Sequence, residues 1–170
     1  MLAGPMPTFL TSLRARGVLA AFSLSLLAVA AHAQALPGGG EFGMSAQQLH
    51  EAIPALARVP RPVRMAGGLV GQWRGPAVQV GGVAVAPTYF LAEGLLKRVE
   101  YIADSPDAYA SLLAWGRATW GQELASQGSE GAYAAWTTGA TQAYLQLSAD
   151  ARAPVRLVVK LLAAREASEL

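Results

Sequence analysis

The chain has 170 residues, 53% of them hydrophobic, with 13 Lys and Arg against 11 Asp and Glu. It holds no cysteine. That excludes a disulfide framework, thiol catalysis, cysteine-ligated metal and a lipidated lipoprotein anchor.

Residues 1–33 have the make-up of a secretory signal peptide. Arg14 and Arg16 charge its start, residues 18–30 are almost wholly apolar, and Ala31-His32-Ala33 is a small-x-small cleavage signal placed just before Gln34. The apolar run is short of the roughly 20 residues that a membrane-spanning helix needs. The expected product is a soluble periplasmic protein with no membrane attachment once the leader is gone. Arg14 and Arg16 leave with the leader, so 11 basic residues face 11 acidic ones in the remainder. That balance predicts no nucleic-acid partner and no attraction to an anionic membrane.

Residues 34–43 are expected to form a flexible lead-in, because Pro37 and Gly38-Gly39-Gly40 hold regular structure poorly. A first helix then has complete start signals. Ser45 and Gln48 form a capping box, Met44 and Leu49 a hydrophobic staple, and Pro54 ends or kinks the helix. Pro60 and Pro62 read as an extended connector, after which residues 63–65 and 69–73 can pair across Gly67-Gly68.

The strongest β signal is at residues 76–103. Val78, Val80, Val83 and Val85 flank Gly81-Gly82, a two-residue hairpin loop that puts four valines on one face. A second turn follows near Glu93-Gly94. A three-residue loop there would set Val99 opposite Pro87 and Tyr101 opposite Val85, which keeps Arg98 and Glu100 off the valine face. In that register Phe90 and Leu96 point away from the valines, unless a bulge at Pro87 turns Phe90 back.

A second helix is predicted from Ser105, with Pro106 at its first position and Asp107 at its positive end. Tyr109, Leu112, Leu113, Gly116 and Trp120 make its apolar stripe, and Gly121 with the polar run 126–131 ends it. Residues 133–138, 141–147 and 155–161 alternate with period two and read as half-buried antiparallel strands. A short polar tail closes the chain.

The expected fold class is therefore α+β: two helix-then-antiparallel-strands units in tandem, residues 44–103 and 104–170, with helices packed on one face of an antiparallel sheet and both units in one compact domain. Phe42-Gly43-Met44-Ser45 leading into a short helix, the F-x-x-x-G-x-L turn from Phe90 to Leu96, and the Trp136 strand before an alternating Leu145/Leu147 strand resemble the small periplasmic SmpA/BamE-like module. Two such units in tandem resemble the beta-lactamase-inhibitor-protein-like architecture. The resemblance implies a binding or assembly part, and the lipidated cysteine of the outer-membrane assembly member is absent.

The catalytic inventory is thin. His50 is the one histidine outside the leader and sits in the first helix. Asp104 and Asp107 flank a helix start, where capping accounts for both. No serine triad, zinc ligand set or phosphate-cradling loop is visible. No catalytic residue, cofactor or metal ligand is therefore assigned, and an enzyme is not expected. Trp73, Trp120 and Trp136 read as core. Trp115 lies off the helical stripe and, with Phe90 and Leu96, is a candidate for partner contact. Two functions fit: an interaction module for an envelope protein or peptide, bound at the sheet face or edge, or a carrier of a small apolar ligand between helices and sheet.

Overall fold

The computed structural model describes residues 36–150 and 152–162. The expected leader, with its expected cleavage residues Ala31, Ala33 and Gln34, and the expected polar tail lie outside the described residues. The fold is α+β, two helices with a large antiparallel sheet. Helix α1 spans Ala46–Ala52 and α2 spans Ala108–Trp120. The strands are β1 (Ala57–Arg64), β2 (Val70–Arg74), β3 (Val78–Val80), β4 (Val83–Ala92), β5 (Leu95–Ala103), β6 (Leu124–Gly128), β7 (Gly131–Thr138), β8 (Thr141–Ser148) and β9 (Val155–Leu161). Their order across the sheet is β1-β2-β4-β5-β9-β8-β7-β6, with β3 paired to β4. All described pairings are antiparallel, and the β5–β9 pair joins the earlier strands to the later ones.

Alternation along the inner strands β4, β5, β9, β8 and β7 builds one apolar face. Cross-strand partners carry it from Tyr89 to Val99, Val159 and Ala143, and on to Trp136. Helix α2 packs on β7–β9, laying Leu112 and Gly116 against this face. The layer between them is filled by Leu112, Trp136, Leu145 and Leu157, each no more than 3% exposed.

The valine hairpin forms in the expected register, with Val78 opposite Val85 and Val80 opposite Val83. Gly81 and Gly82 both have positive φ, 57° and 80°, the pattern of a type I′ turn whose twist suits a hairpin. Val80 and Val85 are buried while Gln79 and Ala84 are exposed. A Cβ on Gly81 would stand 2.9 Å from the Ser111 carbonyl oxygen, so this turn is seated directly on the α2 backbone.

The second turn differs from expectation. Glu93 and Gly94 (φ 53° and 76°) form a two-residue loop closed by Ala92 opposite Leu95, with Leu91 opposite Leu96. Lys97 is then an extra residue in β5, because the next pair is Phe90 opposite Arg98. This bulge reverses the alternation. It puts Val99 opposite Tyr89 and Tyr101 opposite Pro87, each two places from the expected partner. Val99 and Tyr101 still face the core, and Phe90, Arg98 and Glu100 still turn away from it, but Leu96, expected on the far face, is turned into the core by its pairing with Leu91.

At the start of the described chain, the flexible lead-in gives way to a packed one. Leu36 is 5% exposed, and its carbonyl oxygen accepts the Gly39 amide at 2.9 Å. Tyr101 Oη donates to the Pro37 carbonyl oxygen at 3.0 Å, and Tyr89 Oη lies 3.4 Å from that of Gly39. A Cβ on Gly40 would stand 2.7 Å from Leu49 Cδ1, so the glycines let the chain lie close against α1 and the sheet. Gly43 and Met44 then exchange backbone hydrogen bonds with Leu96.

Helix α1 begins as the sequence predicts. The Gln48 amide donates to Ser45 Oγ, and the Ser45 amide donates to the Gln48 side chain. Helix α2 starts later than predicted. Residues 105–108 make a turn in which Ser105 Oγ accepts the Asp107 amide, and regular helix begins at Ala108. The prolines read as a connector, Pro60 and Pro62, lie within β1, an edge strand where a missing amide is tolerated.

Candidate functional site

The three residues predicted for partner contact do not come together. Leu96 is fully buried on the apolar face, among Leu49, Tyr89 and Val99. Phe90 is 1% exposed on the other face, with the Arg98 guanidinium 5.6 Å from its ring centre. Arg98 also pairs with Glu100 and lies 5.7 Å from the Tyr144 ring centre. Trp115 is half-buried and meets Trp120 edge to face at 4.9 Å. Trp120 in turn lies 5.3 Å from Trp136, whose Nε1 donates to the Gly121 carbonyl oxygen. Trp115 is thus the outer, partly exposed member of a tryptophan cluster that ties α2 to β7. Its distance from the Leu112 stripe reflects a second contact surface, the Gly81-Gly82 turn.

His50 is exposed on α1, with its ring edge-on to Trp73 at 5.9 Å. Asp104 and Asp107 are exposed at the approach to α2. Among the described residues no three His, Asp or Glu side chains gather at one point.

The sheet ends in two edges of opposite character. At one end β1 carries two prolines and three arginines, Arg58, Arg61 and Arg64. Proline and positive charge are the usual means of keeping an edge from pairing with another chain. At the other end β6, Leu-Ala-Ser-Gln-Gly, has neither proline nor charge, and all five residues are exposed. Leu124 there is 82% exposed. Sequence reading missed this strand. It took residues 126–131 as a polar loop, because a strand exposed on both sides needs no hydrophobic alternation.

The β6 ladder fixes which groups are free. Ser129-Glu130 is a two-residue loop closed by Gly128 opposite Gly131. In such a hairpin the closing pair is hydrogen-bonded, and bonding alternates along the strand. Gly128, Ser126 and Leu124 therefore bond to β7, while Ala125 and Gln127 direct N–H and C=O outward. Beside the hairpin tip lies an open groove of about 600 Å3. Ser126, Tyr133, Gln146 and Arg156, aligned across β6, β7, β8 and β9, contribute to its lining. Their hydroxyl, amide and guanidinium groups offer donors and acceptors next to the free strand.

A further ion pair fixes the approach to this edge. The Glu123 side chain is 2% exposed and takes both Arg117 Nε, at 2.9 Å, and Arg117 Nη2. That paired hydrogen bond holds the Glu123 carboxyl down at about 2. Tyr109 is raised by its own burial and by the neighbouring Glu123 charge. Glu123 thereby anchors the link between the last turn of α2 and Leu124. Comparison with known proteins finds no protein family, no curated protein and no solved structure that this chain matches.

Proposed function

We propose that this protein is a non-catalytic interaction module of the periplasm that binds an envelope protein or peptide by adding its extended segment to the β6 edge. The observation that carries the reading is the fully exposed, uncharged, proline-free strand at one end of a sheet whose other end is guarded. Strand addition draws affinity from main-chain hydrogen bonds and specificity from pockets beside the edge. Ala125 and Gln127 supply the first, and the groove at Tyr133, Gln146 and Arg156 the second. The described chain is read here as two SmpA/BamE-like units side by side, joined at β5 and β9 with both helices on one sheet face. The helix–strands–helix–strands order supports that reading. Export rests on the leader composition of residues 1–33.

The test is a pull-down from envelope extract with the parent and with Gln127→Pro. The variant removes one outward amide and leaves the β7-facing bonds intact. A protein captured by the parent and lost by a folded Gln127→Pro variant supports the reading. An identical set of captured proteins contradicts it.

A further inference from the structure

The guarded edge carries more charge than guarding requires. Residues 52–92 contain four arginines, Arg58, Arg61, Arg64 and Arg74, and no aspartate or glutamate. All four side chains are exposed, and none forms an ion pair with a described residue. The other charges after residue 33 are seven basic against eleven acidic, so this positive concentration is local.

The backbone gathers the arginines around a concavity. Strand β1 takes five steps from Arg58 to Val63 where β2 takes two from Trp73 to Gly71. The surplus residues bow away from the ladder, and Pro60 and Pro62 lie in or beside the bow, where no ladder amide is needed. A groove of about 440 Å3 results, lined by Ala57, Arg58, Val59, Pro60, Arg61 and Arg74. Arg74 reaches it from β2, directly opposite Ala57.

We infer that this groove binds an acidic, extended peptide segment of a partner protein, with glutamate or aspartate carboxylates on Arg58, Arg61 and Arg74. Guanidinium groups present planar, paired donors that match a carboxylate. The groove is much larger than a single oxyanion fills, and Val59 and Pro60 give it an apolar strip for the residues between the acids. The arginines sit along an edge and not across a broad plane, which suits a strand better than a lipid surface. No exposed aromatic side chain lines the groove, so bases of a single-stranded nucleic acid would find no stacking platform. The site lies at the opposite end of the strand order from β6 and stands independently of the β6 reading.

The experiment uses the whole secreted chain and a fluorescent peptide alternating glutamate with valine. The glutamine–valine peptide, inorganic phosphate and vesicles of anionic phospholipid serve as comparison probes. The expected result is saturable binding of the glutamate peptide at low salt, weakening as ionic strength rises. Binding should fall about tenfold or more in Arg58→Gln/Arg61→Gln/Arg74→Gln, and the glutamine peptide should bind the parent at least about tenfold more weakly. The peptide comparison is made on the parent protein, so it does not depend on the variant folding. Equal binding of the two peptides, failure of the glutamate peptide to bind, or arginine-dependent binding of vesicles or phosphate in preference to the peptide would each overturn the inference. Gln127→Pro should leave glutamate-peptide binding unchanged; loss there would move the site to β6 and overturn this placement.

Discussion

Trp136 lies across Gly116 so closely that a Cβ on the glycine would stand 2.6 Å from Trp136 Cη2 and 2.7 Å from Cζ2. The indole cannot back away easily, because it is 3% exposed and its Nε1 is held by the Gly121 carbonyl oxygen at 2.9 Å. The absence of a side chain at one helical position therefore sets how near α2 approaches β7.

Gly116→Ala tests this. In an open helix the change would stabilise by about 1 kcal/mol through propensity alone. Here the added methyl overpacks a filled layer, at a cost of about 1–3 kcal/mol. The urea midpoint should fall; a rise would mean that the indole or the helix shifts freely.

The valine hairpin tests burial and register together. Val80 is 1% exposed and Gln79, one residue before it, faces solvent. Val80→Asp places a carboxylate in the apolar layer and should cost ~3 kcal/mol or more. Gln79→Asp should change stability by about 0.5 kcal/mol or less. Urea unfolding of the two variants decides, and a reversal of their order would mean that the strand is shifted by one residue.

The buried tyrosines that hold the start of the chain predict an alkaline limit. Burial pushes Tyr89 up to about 12 and raises Tyr101 as well, the second also through its neighbour Tyr89. An unfolded tyrosine titrates near ~10. Their contribution is therefore complete below about pH 10 and is lost as the pH rises towards 12, because the unfolded chain releases these protons first. Tyr101→Phe should remove the hydrogen bond to Pro37, cost about 1 kcal/mol at neutral pH and soften the alkaline fall. Denaturant midpoints at stepped pH check this; a parent midpoint that is flat across the interval would contradict it.

The acid limit has the opposite sign. Arg117 holds the Glu123 carboxyl at about 2, below its ordinary value of 4.5. The unfolded state takes up this proton first as the pH falls. Stability from the pair is thus complete above the ordinary value and disappears as the pH approaches 2. Glu123→Gln should lower the midpoint at neutral pH and flatten the acid limb. Equal acid profiles in parent and variant would mean that the pair does not hold the α2–β6 link.

The legible parts of the sequence were those where local chemistry and tertiary need agree. Gly81-Gly82 between alternating valines, and Ser45 with Gln48, each specify a local geometry that the fold then uses. The β5 bulge was hidden because nothing at Lys97 itself marks an extra residue. The pairing depends on the turn at Glu93-Gly94 and on Leu96 needing the core. The lead-in was misread because glycines also allow close approach, and what the lead-in lies against is spread along the chain: Leu49 of α1 at Gly40, Tyr89, 51 positions from Gly38, and Tyr101, 64 positions from Pro37. Strand β6 was silent because an exposed edge imposes no pattern, and the arginine groove because each arginine alone reads as a solvated side chain.

The central claim is that β6 is the edge to which a partner strand adds, and amide hydrogen exchange at Ala125 and Gln127 tests it most directly. In the free protein both amides face solvent and should exchange fast, while the β7-paired amides of Ser126 and Gly128 exchange more slowly. With the captured partner bound, Ala125 and Gln127 should become protected and the remainder of the sheet should change little. Partner binding that leaves both amides fast, with protection elsewhere on the sheet, would contradict the account.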